Sequence, residues 1–287
     1  MQEHDFPALY RSADELSLES QRHFFNALRL HLALLICAAI LSMVNLPHWS
    51  VAALQLLALL GALSCSVYLF SKRPDRYWYA GRAVAESIKT ITWRYVTRAE
   101  PFQSDDALAR SYFQQRLKAI VAQNKDVAQA LTAHLDEPQI TQVMTQMREA
   151  PLEQRKLTYA SSRIKDQLTW YAKKARSNRN TSNAFFWALI TTNGLAVLCA
   201  ILRIQFVNVS AWPTDTLVAL AASLLSWMQA KRFSELAASY ALAAHEIGLI
   251  REQAMLPSTD VELSQFVGDA ENAFSREHTQ WVARQDV

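Results

Sequence analysis

The sequence predicts an all-α, polytopic membrane protein with four transmembrane helices, arranged as two repeated hairpins, and a cytoplasmic helical bundle. Three observations predict it. Apolar residues are gathered into blocks long enough to cross a bilayer, basic residues avoid one end of each block, and no segment keeps the two-residue alternation of a strand.

The elements follow in chain order. Residues 24–44 carry Arg29 and His31 near their start and run clean from Leu32 onward. Residues 51–70 contain no charge, and Gln55 is their one strongly polar side chain. That block of 20 residues spans roughly 30 Å as a helix, the thickness of a bilayer core. Pro74 interrupts the helix that leaves it, which can resume over 75–97. Ser104, followed by Asp105 and Asp106, has the chemistry of an N-cap and opens a helix to Asn124. Further helices are expected over 126–135 and 139–149. From Pro151 no breaker occurs before residue 202, about 50 residues or roughly 75 Å of continuous helix, ending in the uncharged block 184–202. A fourth block, 216–230, is uncharged but short, and Pro213 suits a helix start before it. That helix is expected to reach Met255, and Ser258 or Thr259 to cap a last amphipathic helix reaching Trp281.

A soluble chain of 287 residues has too little amphipathic sequence to wrap four such helices. More than 20 mostly polar residues precede the first block and no small-x-small site follows it, so no cleaved signal peptide is expected. Cys37, Cys65 and Cys199 all fall within blocks and read as small apolar packers. The link 45–50 has no Lys or Arg, and 203–215 has only Arg203. Lys72, Arg73 and Arg76, then Lys173, Lys174, Arg176 and Arg179, then Lys231 and Arg232 flank the other ends. Both termini and the middle are therefore expected on the cytoplasmic side of the membrane, with Trp49 and Trp212 at the outer headgroups.

The two hairpins resemble each other. Phe24-Phe25-Asn26-Ala27-Leu28 matches Phe185-Phe186-Trp187-Ala188-Leu189 at an offset of 161. An offset of 160 carries the second block onto 211–230, which extends the fourth span back to Ala211, and carries Lys72 onto Arg232 and Glu86 onto Glu246. The expected organisation is a first unit over 1–98, an insert over 99–150 and a second unit over 151–287.

Charge is laid out unevenly. Residues 72–179 hold 20 basic and 11 acidic side chains, while both ends of the chain are acidic. One reading pairs the basic block with those acidic ends, in addition to the topology bias. The other makes it a receiver of an anionic nucleotide or oligonucleotide, with Tyr159, Arg163, Lys165, Tyr171 and Lys174 interleaving aromatics and cations as stacking and phosphate-contacting surfaces do. The same aromatics also fit an ordinary helix-packing stripe. No P-loop, GxGxxG, GxSxG or HExxH occurs, so neither enzymatic activity nor a cofactor or metal is expected. Polar groups inside the blocks are costly in lipid and mark candidate pore-lining positions: Asn193, Thr192, Gln55, Ser223 and Ser226. Hydroxyls can instead bond back to their own helix; the amide of Asn193 does so less readily.

A two-span hairpin flanked by long helices, with Arg82-Ala83-Val84-Ala85-Glu86 after its second span, resembles the SLATT domains, two-transmembrane effector domains of bacterial nucleotide-signalling systems. The present chain resembles their tandem form over nearly its whole length apart from about residues 100–150, although Leu242 stands where the offset of 160 would repeat Arg82. The resemblance implies an anti-phage effector of the bacterial inner membrane, a pore that dissipates ion gradients in response to a nucleotide made by a partner nucleotidyltransferase. It implies no catalytic residues. Four spans enclose too little room for a conducting path, so a homo-oligomer, here taken as a tetramer, is expected. A non-conducting membrane anchor or scaffold for a soluble signalling partner is the alternative.

Overall fold

A computed structural model describes residues 1–44 and 48–283, and side-chain surroundings as far as Ser275. The described residues form helices and connecting turns, with no strand among them. The link 45–50 lies partly outside the described residues.

Helix α1 (Ala8–Met43) and α2 (Trp49–Lys72) form the first hairpin, followed by α3 (Pro74–Val96). Asp105, not Ser104, caps α4 (Asp106–Gln123), its carboxylate accepting from the backbone of Ala107 and Leu108 at 3.0 and 3.1 Å. The helix expected over 126–135 shrinks to α5 (Lys125–Ala128), a single turn too short to hold itself. Thr141 caps α6 (Gln142–Glu149). Then α7 (Leu152–Tyr159), a π-helical turn (Ala160–Ile164) and α8 (Lys165–Gln205) form 54 residues of unbroken helix, as the absence of breakers predicts. The fourth block gives α9 (Thr214–Lys231), which starts three residues later than the repeat suggested because Pro213 sets its first turn. Thereafter come α10 (Phe233–Gln253) and α11 (Asp260–Ala283), the latter entered through Thr259 Oγ1, which accepts from Glu262 N, while Glu262 reaches back to Ser258 N.

The repeat has a backbone signature. α2 and α9 each end on an arginine in the left-handed region, Arg73 at φ 44° and Arg232 at φ 49°, whose N–H bonds the carbonyl four residues back. Non-glycine residues seldom adopt this conformation. Pro74 disfavours a helical Arg73, and Glu235 pairs with Arg232. Aligned on these caps the second spans are 159 residues apart, which sets Arg82 against Ala241 and Glu86 against His245, one residue from the expected match with Glu246.

The chain divides into two compact units. Residues 23–73 and 172–241 make one, which contains the apolar part of α1, α2, the apolar part of α8, and α9. By length and composition three helices can cross a membrane, those over Ala8–Met43, Trp49–Lys72 and Leu152–Gln205. Small residues are buried between helices here, Ala38, Ala58, Ala62, Cys65, Ala196 and Ala221, while leucines and Phe70 (87 % exposed) point outward. This is the packing expected where lipid, not water, surrounds the helices. His31 Nδ1 bonds Ala62 O at 3.0 Å across the hairpin. Phe25 and Trp227 meet edge to face, with Lys231 Nζ 3.4 Å over the Phe25 ring and Arg29 over Trp227.

The other unit comprises residues 1–22, 74–171 and 242–287. Its centre is α3, packed against α4, α5, α6 and α11. Trp93, Ile88, Val84 and Tyr95 of α3 are buried with Phe102, Phe113, Met144, Tyr159 and Leu263. α1 lies so close to α3 that a Cβ on Gly81 would stand 3.1 Å from Ala13 O. Ser17 Oγ donates to Trp78 O beside it.

Candidate functional site

Four of the basic side chains that suggested a ligand surface are buried and matched inside the fold. Arg148 donates to Asp106 Oδ1 at 2.8 Å, Tyr95 O at 2.7 Å and Ser104 O at 3.1 Å, and stacks on the Tyr95 ring. Arg155 joins Thr97 O at 2.7 Å and pairs with Asp260. Lys156 bonds Glu153 and Pro257 O at 2.8 and 2.9 Å. The fourth, Arg163, meets Glu271, a carboxylate with no exposed surface.

That last pair organises the most constrained place in the molecule. The Glu271 carboxylate accepts Arg163 Nε at 2.9 Å, Arg163 Nη2 at 2.8 Å, Tyr159 Oη at 3.0 Å and Thr90 Oγ1 at 3.0 Å. Phe274 covers the guanidinium at 5.0 Å, and Nη1 is buried with no hydrogen-bond partner among the described residues. Burial works against the arginine charge, yet Glu271 outweighs it and holds the guanidinium pKa above its ordinary value. Burial, reinforced by the same carboxylate, pushes the Tyr159 hydroxyl well above the usual tyrosine range. Neither the Arg163 guanidinium nor the Tyr159 hydroxyl changes charge near neutral pH. Arg163 lies in the π turn, which is closed by Lys165 N–H bonding Ala160 O, and such turns concentrate where a helix is held for function. The clamp therefore fixes the helix that continues directly into α8.

A second polar cluster gives Arg82 and Glu86 their physical meaning. Arg82 bridges Glu86 at 2.6 Å and Asp14 of α1 at 3.3 Å. Burial opposes the Arg82 charge but the two carboxylates hold its pKa up, while burial raises that of Asp14 despite the arginine.

The five residues expected to form a ligand surface are placed differently from one another. Tyr159 and Arg163 face Glu271, and Tyr171 is buried, edge to face with Trp170 at 4.9 Å. Only Lys165 and Lys174 of the five are exposed. Sequence reasoning weighed cation and aromatic spacing on one helix; it could not see Glu271 arriving from 108 residues away. The candidate pore positions are dispersed as well. Thr192 and Ser223 are buried and bond back to Ala188 O and Ala219 O, each at 2.8 Å. Asn193 is exposed and also bonds back, Nδ2 to Leu189 O at 3.1 Å, although an amide was expected to do so less readily than a hydroxyl. Gln55 is half-buried and Ser226 exposed, and among the described residues no hydrogen bond joins any two of the five.

Comparison with known families accounts for the repeat. Residues 7–156 match the family described as SMODS and SLOG-associating 2TM effector domain 3, and residues 159–281 match SMODS and SLOG-associating 2TM effector domain 1. The chain belongs to the SLATT family. It carries two SLATT domains in tandem, and the Glu271 clamp joins them: Thr90 comes from the first, and Tyr159, Arg163 and Glu271 from the second. The segment 99–150 lies within the first SLATT match. No match was found among curated proteins, and none among solved structures.

Proposed function

We propose that this SLATT protein is a membrane effector of an anti-phage defence system, a pore opened or closed from the cytoplasmic side by a nucleotide or oligonucleotide, which acts by depolarising the membrane. The observation that carries the reading is the helix Leu152–Gln205: one end is clamped by buried charge in the compact unit around α3, and the other is an apolar span. A rigid element of this kind transmits a small rotation at one end to the other. The two family descriptions, which name effector domains associated with SMODS and SLOG, support the setting. α9 serves as the fourth crossing; its 18 residues span roughly 27 Å, close to a bilayer core. The signal is met by exposed cations of the basic block, since the buried ones are already matched.

Ion flux from liposomes holding the purified full chain, with and without cyclic or linear oligonucleotides, tests the reading. A ligand-dependent change in flux is expected, and a Gly-Pro pair inserted after Ser177 is expected to remove that dependence. Gating unchanged by the insertion would rule out transmission along the helix. Absence of flux under all conditions, with biological protection retained by Asn193→Leu, would favour the anchor reading instead.

A further inference from the structure

The compact unit around α3 has two unfilled faces of opposite charge. One is a cleft of about 810 Å³ between the start of α1, α4 and α5, with walls that include Leu9, Leu117 and Val121 and with Lys118 and Lys125 at its edge. Both lysines are exposed and neither has a bonded partner among the described residues. The other is on α10, where Ala243 and Ile247 are buried while Leu242 and Leu249 are 63 % and 65 % exposed. Seven residues separate those two leucines, about two helical turns, so they lie on one stripe roughly 10 Å long. Glu246 flanks the stripe on one side and Glu252 on the other, both exposed and without a bonded partner among the described residues.

We propose that the α10 stripe of one copy docks in the α4–α5 cleft of a second copy of this chain. The chemistry of the two faces is matched: aliphatic anchors at helical spacing for an aliphatic groove, and two glutamates for two lysines. The faces are different surfaces, so the contact is heterologous and repeats around an axis. Copies inserted in one membrane with the same orientation share the membrane normal as that axis, and the repeat closes into a ring where the rotation per copy divides a full turn. Leu242 and Leu249 are the central anchors, and the charge pairs at the rim fix register and partner. The assembly does not depend on conduction: a ring that passes no ions would sink the pore reading and leave the docking intact.

Crosslinking and mass together test it. In full-length protein with Cys37, Cys65 and Cys199 replaced by alanine, Val121→Cys on one tagged copy and Leu249→Cys on a differently tagged copy are expected to form a mixed disulfide. A chain carrying both is expected to give a ladder of covalent oligomers. Lys118→Glu with Lys125→Glu should weaken association at least about tenfold, read by native mass against concentration, and adding Glu246→Lys with Glu252→Lys should restore it. Leu249→Cys crosslinking to itself would show α10 meeting α10 and overturn the proposal. So would an unchanged oligomer mass after lysine reversal, including the case in which that reversal abolishes only a response to added oligonucleotide, which would assign the cleft to a small anionic ligand.

Discussion

At the scale of single residues, the decisive contacts are those that charge counting assigns to the wrong partner. Arg163 and Tyr159 look like an anion site in sequence, and Glu271 turns them into a clamp. The clamp has a pH consequence whose sign can be worked out. The Tyr159 hydroxyl has a folded pKa above its unfolded value of about 10, so its contribution is complete below pH 10 and is lost as pH rises through that value toward the folded pKa. The full chain in detergent is therefore expected to lose melting temperature as pH rises above about 10, at up to about 1.4 kcal/mol per pH unit for this group. Tyr159→Phe should flatten that decline while lowering neutral-pH stability by about 1 kcal/mol for the lost hydrogen bond. Tyr10, raised by burial and by Asp14, leaves a residual slope. An alkaline decline identical in the two proteins would mean that Tyr159 does not stay protonated in the fold. Gly81 belongs to this scale too: only a missing side chain lets α1 and α3 approach so closely, and its neighbours in sequence give no sign of it.

Among the elements, the second helices of the two hairpins illustrate what periodicity and length can settle. α2 needs no tertiary context, because 20 uncharged residues admit one reading. α9 is shorter, and its equivalence to α2 rests on the matching left-handed arginine caps. If α9 crosses the membrane, its ends lie on opposite sides. In the same cysteine-free background, a membrane-impermeant maleimide applied to spheroplasts is expected to label Val207→Cys and to spare Ser234→Cys until the membrane is opened. Equal labelling of both would confine α9 to one surface. The π turn was invisible in sequence, since no residue type announces an extra residue in a turn. It becomes visible only where Arg163 must reach a fixed carboxylate.

For the molecule as a whole, the two SLATT domains are divided by sequence between residues 156 and 159 but are not divided in space. α11 of the second packs on α3 of the first, with Arg94 reaching Asn272 Oδ1 at 2.7 Å and Glu100 N bonding Ser264 Oγ at 3.0 Å. A fragment of residues 1–157 produced alone leaves that side of α3 uncovered and is expected to be degraded or to aggregate. Co-production with residues 158–287 should recover a protected pair that co-purifies. A lone first fragment that resists protease as well as the intact chain does would show that the domains fold independently.

The sequence by itself determined the helical class, three of the four expected membrane-crossing blocks and the tandem family, because each is written in contiguous composition or in a repeated pattern of spans. It also presented the acidic ends as candidate partners of the basic block. Which acid meets which base was decided by tertiary structure alone. Asp14, Asp260 and Glu271 lie 68, 105 and 108 residues from Arg82, Arg155 and Arg163, and Coulomb attraction between such groups depends on the distance folding leaves between them, not on their separation along the chain.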